Sequence, residues 1–276
     1  MSGRVVLRPS CPRTVASVCC VAAVCLGAPL SAQDRDTGTS PGDRGTRIFA
    51  DYRFHLNAAS LLDADEHFNW DADFGGDIDV IDYVRGRFNF LANIETILGE
   101  ELRRFDPNQG NYTLEGSATY RLGATELAGT FRHISQHLSD RSKEFPVDWN
   151  MAGVQVWHRR TAGRLGIDLA ARAYYVTQRS FVDYDSELGG HARVRYTLND
   201  RLSLLVGGAA VYRGTDPAVA GRDGVSGGLF ESGVRFEGEA VAVELFAALE
   251  RRVDADPLER RARIWAMIGF RLLSKE

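Results

Sequence analysis

From Thr46 almost to the C-terminus, apolar and polar residues alternate one by one along the chain. In the first such stretch, residues 46 to 58, the odd positions include arginine, aspartate, histidine and asparagine. The even positions form an apolar row of Ile48, Ala50, Tyr52, Phe54, Leu56 and Ala58. Because successive side chains of a β-strand point to opposite faces, this period of two predicts a strand with one apolar and one polar face.

The same alternation recurs along the chain and predicts twelve strands. The rows start at Ile48, Trp70, Phe88, Tyr112, Leu127, Asn150, Leu165, Leu188, Leu202, Gly228, Val241 and Ala262. Short connections such as "GAT" and "NDR" alternate with longer ones such as "GEELRRFDPNQ", "HLSDRSKEFPVD", "QRSFVDYDS" and "RRVDADPLE". An even number of strands, short periplasmic turns and longer extracellular loops are typical of an antiparallel transmembrane β-barrel of the outer membrane.

Aromatic residues mark both ends of the apolar rows, as in the girdles of outer-membrane barrels. They are Trp70, Tyr112, Tyr175, Tyr212 and Phe230 at the loop ends, and Phe88, Tyr120, Tyr196, Phe236 and Phe270 at the turn ends. A soluble lipocalin-like barrel would show the same alternation, with its apolar face turned inward. The twelve strands and two girdles favour the membrane barrel, whose apolar rows face lipid.

The beginning of the chain predicts export from the cytoplasm. Three arginines precede the apolar run "TVASVCCVAAVCLGAPL", and the small-residue stretch "SAQ" follows it, which is the layout of a secretory signal peptide. We therefore divide the chain into a signal peptide (1–33), a polar linker (34–45) and an outer-membrane barrel (46–276). All four cysteines lie in the leader, so the mature chain has no disulfide framework or thiolate metal site.

The charges exclude one class of function and describe the barrel interior. Removal of the three leader arginines takes the formal charge from −4 to −7, which argues against a nucleic-acid partner. On the polar faces, arginines are interleaved with aspartates and glutamates. Such side chains can fill a narrow lumen with ion pairs, which favours a small or closed pore over a general porin.

Four strongly polar residues interrupt the apolar rows: His133, Ser135, Asn150 and His158. A polar side chain facing lipid costs free energy and is therefore a candidate for function. His158 stands alone at the periplasmic rim and is interpreted as an interfacial residue. The other three lie at the loop ends of the fifth and sixth strands, on one face.

The register of these two strands decides which of the three residues face each other. If paired residue numbers sum to 285, Ser135 lies directly opposite Asn150. A register shifted by two residues places His133 opposite Asn150 instead. Directly opposed side chains lie about 4.5 to 5.5 Å apart at their Cβ atoms, so either register keeps the three within reach of one another.

A serine, a histidine and an amide can act as nucleophile, general base and base-orienting group. We assign these roles to Ser135, His133 and Asn150, with Asp148 as an acidic alternative to Asn150 because it shares the same parity. On the exterior of a barrel, at the level of the outer leaflet, the substrate within reach is the acyl ester of an outer-membrane lipid.

Two further interpretations of this region stay open. Asp140, Glu144 and Asp148 could hold a calcium ion near an ester oxygen, so calcium is a possible cofactor. Alternatively, the polar cluster, with His137 and Asp140 as members, only ties the loop to the barrel. The protein would then be a narrow channel or a structural barrel without catalytic activity.

The layout of His133-x-Ser135 followed by "WN" at Trp149 and Asn150 resembles outer-membrane phospholipase A, a twelve-stranded barrel with a Ser-His-Asn site on its lipid-facing exterior. The lipid A deacylases use a similar His-x-Ser with a glutamate. Gln136 stands where those families carry asparagine, and the gap from Ser135 to Asn150 is a few residues longer than in the phospholipase.

Residues 46 to 145 are also similar to an uncharacterised family of Gram-negative barrel proteins with the signature His-x-Ser-Ser-His-Leu-Gly-Asp. The corresponding stretch here is "HISQHLSD", with Gln136 and Ser139 departing from the signature. This second resemblance implies an outer-membrane location and a barrel fold, and it implies no activity.

Overall fold

The computed structural model describes residues 45–138 and 146–274. The predicted signal peptide, nearly all of the predicted linker, and Asp140 and Glu144 lie outside the described residues, so these predictions stay as they are. None of the helices in the described part of the chain is long and apolar enough to span a membrane.

The period-two pattern folds as twelve strands and one short helix. The strands are β1 Arg47–Leu61, β2 Trp70–Tyr83, β3 Gly86–Gly99, β4 Asp106–Leu122, β5 Thr125–Leu138, β6 Val147–Ala162, β7 Leu165–Ser180, β8 Tyr184–Asn199, β9 Leu202–Thr215, β10 Val225–Glu237, β11 Val241–Asp256 and β12 Arg261–Ser274. The helix α1, Pro217–Ala220, lies between β9 and β10.

Each strand pairs antiparallel with its neighbours in the sequence, and β1 pairs with β12 to close the barrel. Connections of two or three residues follow β2, β4, β6, β8 and β10, at 84–85, 123–124, 163–164, 200–201 and 238–240. At the first position of two of these turns, Gly123 and Gly163 adopt φ values of 62° and 60°, which favour glycine. The predicted strand number, closure and short turns are confirmed.

The opposite end of the barrel carries the other connections, and three of them are five or six residues shorter than the sequence pattern predicts. The connection from β3 to β4 is residues 100–105, that from β7 to β8 is residues 181–183, and that from β11 to β12 is residues 257–260. Part of "GEELRRFDPNQ" and most of "QRSFVDYDS" and "RRVDADPLE" are strand rather than loop, because ladder pairing continues past the last clear alternation. The three predicted loop boundaries are therefore wrong.

The apolar rows cover the outside of the barrel and the charged rows line its inside. Phe74, Val154 and Leu249 have 54% to 58% of their surface exposed. Asp79 and Glu244 on the alternate face are 2% and 1% exposed. An interior lined by charged residues and an exterior covered by apolar ones is the membrane arrangement, so the lipocalin-like alternative is wrong.

Two ion-pair networks occupy part of the lumen, and the first lies beside β2 and β3. Arg53 donates to both carboxylate oxygens of Asp77, at 3.0 and 2.7 Å. Arg87 donates to Asp79 at 2.9 Å and to Glu126 at 2.6 Å, which links β3 to β5. All five side chains are at most 6% exposed, so the network replaces water in this part of the lumen.

The second network is centred on Glu244 of β11. Arg193 donates to Glu244 at 2.5 Å, Arg271 at 2.8 Å and Arg235 at 3.3 Å. Arg271 also donates to Glu231 at 3.0 Å. These bonds connect β8, β10, β11 and β12 across the interior and confirm the prediction that ion-paired side chains occupy the lumen.

At the end of the barrel with the longer loops, one arginine joins two connections and the end of β11. Arg222, in the segment between β9 and β10, donates to both oxygens of Asp183 at 2.7 and 2.8 Å. It also donates to both oxygens of Asp254 at 3.0 and 2.7 Å. We call Arg222, Asp183 and Asp254 the loop clasp.

The loop clasp is expected to weaken in acid. Burial raises the pKa of the Asp183 carboxyl, but the hydrogen bonds and charge of Arg222 outweigh burial and hold this pKa below its ordinary value of 3.8. A carboxyl with a lowered pKa stabilises the folded clasp above about pH 4, and this contribution is lost as the pH falls through the lowered pKa. Hydrogen exchange of residues 216–224, corrected for intrinsic rates, should therefore be faster at about pH 3 than at about pH 6.

Two variants make this prediction specific. Asp183→Asn should raise the exchange of residues 216–224 already at neutral pH, because the charged partner of Arg222 is lost. Asp223→Asn, a change of the same kind at an exposed position of the same segment, should leave the exchange unaltered. Equal corrected rates at both pH values in the unaltered protein would contradict the prediction.

Candidate lipid-facing site

The candidate site lies on the outside of the barrel, at the loop ends of β5 and β6. His133 is paired with Asn150 and Ser135 with Asp148, so paired residue numbers sum to 283. The first of the two predicted registers, with Ser135 opposite Asn150, is therefore wrong. The register shifted by two residues is the one the structure adopts.

The register follows from where the ladder between the two strands ends. A sum of 285 would place Gln136 opposite Trp149. In the structure β6 begins at Val147, which is itself paired with Gln136, and the last two residues of β5, His137 and Leu138, pair only with β4. Ser135 therefore lies opposite Asp148, and Asn150 lies opposite His133.

His133 is oriented by Asn150. Its Nδ1 lies 2.8 Å from Asn150 Oδ1, and an amide oxygen only accepts, so Nδ1 carries the hydrogen. The lone pair is then on Nε2, the nitrogen that can take a proton. In the structure Asn150, and not Asp148, is hydrogen-bonded to the histidine, which favours Asn150 over the acidic alternative.

Asn150 is itself oriented from β7, by a residue that the sequence pattern did not identify. Its Nδ2 donates to Gln178 Oε1 at 3.2 Å, which leaves Oδ1 turned towards His133. Thr177 Oγ1 donates to the Asn150 carbonyl oxygen at 3.2 Å. Gln178 shares the parity of the lumen-facing residues of β7, but a bulge opposite Asn150 and Met151 brings it to the outside.

Ser135 has a different partner from the one assigned to it. Its Oγ lies 3.0 Å from His137 Nε2, and the edge of His137 meets the ring of Tyr112 at a centroid distance of 5.0 Å and an interplanar angle of 90°. The structure thus contains the oriented pair His133–Asn150 and a separate pair Ser135–His137 on the same outer surface. The sequence pattern predicted for His137 only a structural role, in a cluster that ties the loop to the barrel.

His158, the fourth polar exception, lies at the opposite end of the barrel from the other three residues. Its Nδ1 is 2.9 Å from Thr125 Oγ1.

No metal site is found in the described part of the structure. Within residues 45–138 and 146–274, no group of three or more histidine, aspartate or glutamate side chains is placed to hold a metal ion. Two of the three predicted calcium ligands lie outside those residues, so the calcium site stays a prediction.

Comparison of the fold with solved structures finds outer-membrane barrels. Outer membrane phospholipase A from Escherichia coli matches with a TM-score of 0.51 and 11% identity, over 83% of this chain and 98% of that one. The Salmonella typhi outer membrane phospholipase dimer with bound calcium matches with a TM-score of 0.50 and 10% identity, over 82% and 91% of the two chains. The NanC porin has a TM-score of 0.50 and 8% identity, over 81% and 100%.

By sequence, no family model and no curated protein matches the chain. The likeness to the solved structures is therefore one of fold. The closed twelve-stranded barrel and these matches identify a bacterial outer-membrane β-barrel protein. The resemblance to the signature of the uncharacterised family stays a prediction from "HISQHLSD".

Proposed function

We propose that this protein is a serine hydrolase of lipid acyl esters, with its site on the lipid-facing exterior of the barrel. The observation that carries the proposal is the hydrogen bond from His133 Nδ1 to Asn150 Oδ1, on an outer surface covered mainly by apolar side chains. A histidine held in the tautomer of a general base, two residues along one strand from a serine on the same face, supplies the residue types that acyl transfer uses. Outer-membrane lipids are the esters that this surface contacts.

The reaction assigns one role to each residue. Ser135 Oγ attacks the acyl carbonyl carbon while its proton passes to His133 Nε2. The lipid alcohol then leaves with that proton, and a water activated by the same histidine releases the fatty acid from the acyl-enzyme. Ser135 first exchanges its bond to His137 for one to His133, which lies two residues away on the same face of β5.

The first experiment measures fatty-acid release by the full chain refolded in detergent, from phospholipid and from lipopolysaccharide, each with and without calcium. Release from either substrate supports the hydrolase and identifies the lipid class. No release under any of the four conditions overturns it and favours the structural interpretation of the cluster. Conductance steps in a planar bilayer would then support the narrow channel.

Loss of the orienting amide should slow the reaction without weakening substrate binding. Asn150→Ala removes a hydrogen bond worth about 0.5–1.5 kcal/mol, so kcat should fall by about two- to tenfold at unchanged KM. Gln178→Leu removes the partner of Asn150 and should give a smaller loss of the same kind. Gln178→Glu keeps an acceptor for Asn150 Nδ2 and should restore most of the rate.

Steady-state kinetics on mixed micelles distinguishes these outcomes. A fall in activity that appears only as a higher KM would show that Asn150 and Gln178 bind lipid rather than orient the histidine. Equal activity of the Leu and Glu variants at position 178 would show that Gln178 has no positioning role.

A further inference from the structure

The lumen contains a cavity that the proposed exterior site does not use. It has a volume of about 170 Å³ and lies inside the barrel, lined by residues of all the strands from β3 to β11. Charged residues line it, and they are not evenly distributed around the wall. Their distribution defines what the cavity can bind.

One wall of the cavity carries an excess of negative charge. Arg252 lies 3.2 Å from Asp71, 3.5 Å from Glu250 and in contact with Glu95. Glu95, Glu250 and Arg252 line the cavity. Three carboxyl groups thus share the guanidinium of Arg252, so carboxyl groups outnumber guanidiniums in this cluster.

The other wall carries an excess of positive charge. Arg172 and Arg213 each donate to Glu187 at 2.9 Å, so two guanidiniums share one carboxylate. Arg132 is paired with Glu115 beside them. The arginines and Glu187 line the cavity, and the wall has a formal charge of +1.

The two walls face each other across the lumen. The acidic residues come from β2, β3 and β11, which flank β1 and β12 in the closed ring. The basic residues come from β5, β7, β8 and β9, which are centred on the opposite side of the twelve-stranded ring. An electric field therefore crosses the cavity from the arginine wall to the carboxylate wall.

Two buried side chains at the cavity have a polar atom without a hydrogen-bond partner among the described residues. One is an acceptor beside the acidic wall, and the other is a donor beside the basic wall. Asn111, 8% exposed, donates from Nδ2 to Glu95 at 2.7 Å, while its Oδ1 has no hydrogen-bond partner among the described residues. Trp149, 2% exposed, has Arg213 over its ring at 5.6 Å, and its Nε1 likewise has no partner in the described part of the chain. Both residues line the cavity, so a buried acceptor adjoins the acidic wall and a buried donor adjoins the basic wall.

We infer that this cavity is a binding site for a small zwitterion, with its ammonium group at Glu95, Glu250 and Asn111 and its carboxylate at Arg213 and Trp149. A buried acceptor or donor costs free energy until it is hydrogen-bonded, and the two ends of a zwitterion satisfy both. An ion of one sign would satisfy only one wall. Since a cavity of about 150 Å³ holds benzene, with six heavy atoms, the volume fits an amino acid of about five to seven heavy atoms.

Equilibrium dialysis of the refolded full chain against labelled glycine, β-alanine and 4-aminobutyrate tests the inference. At least one of the three should bind saturably, with a change in tryptophan emission that is absent in Trp149→Phe. Butyrate and butylamine, which each carry one of the two charges, should bind at least about tenfold more weakly, because a lost charged hydrogen bond costs about 1.5–3 kcal/mol.

Glu250→Gln should weaken binding of the preferred zwitterion by about tenfold or more. Glu239→Gln, the same change in an exposed periplasmic turn, should leave binding unaltered. No saturable binding of any of the three amino acids, or equal binding of butyrate or butylamine, overturns the inference. These ligand comparisons use the unaltered protein, so the result does not depend on whether a variant folds.

Discussion

Ser135→Ala is expected to abolish the release of fatty acid, with kcat falling by about a thousandfold or more. Removal of the nucleophile of a serine hydrolase leaves only the contribution of substrate binding and charge stabilisation, and losses of this size or larger are usual. Ser135 is on the lipid-facing surface, where the change from hydroxyl to hydrogen does not disturb the ion-paired lumen. The loss should therefore appear in activity at unchanged stability.

A matched control separates this result from a general effect on the outer surface. Ser232→Ala makes the same change at an exposed, lipid-facing position of β10 and should keep full activity. Retention of activity by Ser135→Ala would exclude it as the nucleophile, even if the unaltered protein releases fatty acid.

The two histidines near Ser135 are distinguished by the same assay. His133→Ala should lose about as much activity as Ser135→Ala, because removing either member of a catalytic unit removes most of the rate that the whole unit provides. His137→Ala should lose much less, because the structure places the orienting amide of Asn150 on His133. The reverse order would assign the general base to His137, which is the histidine bonded to Ser135 in the structure.

Glu244→Ala is expected to lower the free energy of unfolding by about 3–5 kcal/mol, the cost typical of removing one partner from a buried ion pair. Glu244 is 1% exposed and accepts from Arg193, Arg235 and Arg271. Without it, the three guanidiniums lose the carboxylate that they share, so positive charge stays buried with less compensation. Denaturant titration of the barrel in lipid vesicles measures the loss.

The control for this variant is Glu239→Ala, which removes a glutamate at an exposed position of the turn between β10 and β11. Its effect should stay within about 0.5 kcal/mol, as is usual for surface substitutions. If Glu244→Ala lowers the stability no more than Glu239→Ala, the network around Glu244 contributes little and the lumen tolerates unpaired arginines.

Much of the architecture follows from local pattern alone. A row such as Tyr112, Leu114 and Gly116, with polar residues between its members, can form only a two-faced strand. The twelve rows, the glycine-containing turns and the aromatic ends then predict the barrel, because no other arrangement pairs every strand edge in a membrane. The pattern also identifies His133, Ser135 and Asn150 as exceptions, because each shares the parity of lipid-facing neighbours.

The alternation alone could not show whether the apolar rows face outward or inward, since a soluble barrel and a membrane barrel have the same period of two. Closure of the ring decides it, because the charged side chains then pair with one another in the interior, as they do around Arg53 and Glu244. Nor could spacing choose between registers that differ by two residues, because both preserve the parity of every side chain.

Contacts between strands that are distant from the His133-x-Ser135 pair in sequence depend on the tertiary structure alone. The bulge in β7 brings Gln178 to the outside, against its parity, and there it orients Asn150. The curvature of the closed ring sets the carboxylates of β3 and β11 across from the arginines of β7 and β9. Alternation specifies which face a side chain occupies, whereas bulges and closure specify which other side chains it meets there.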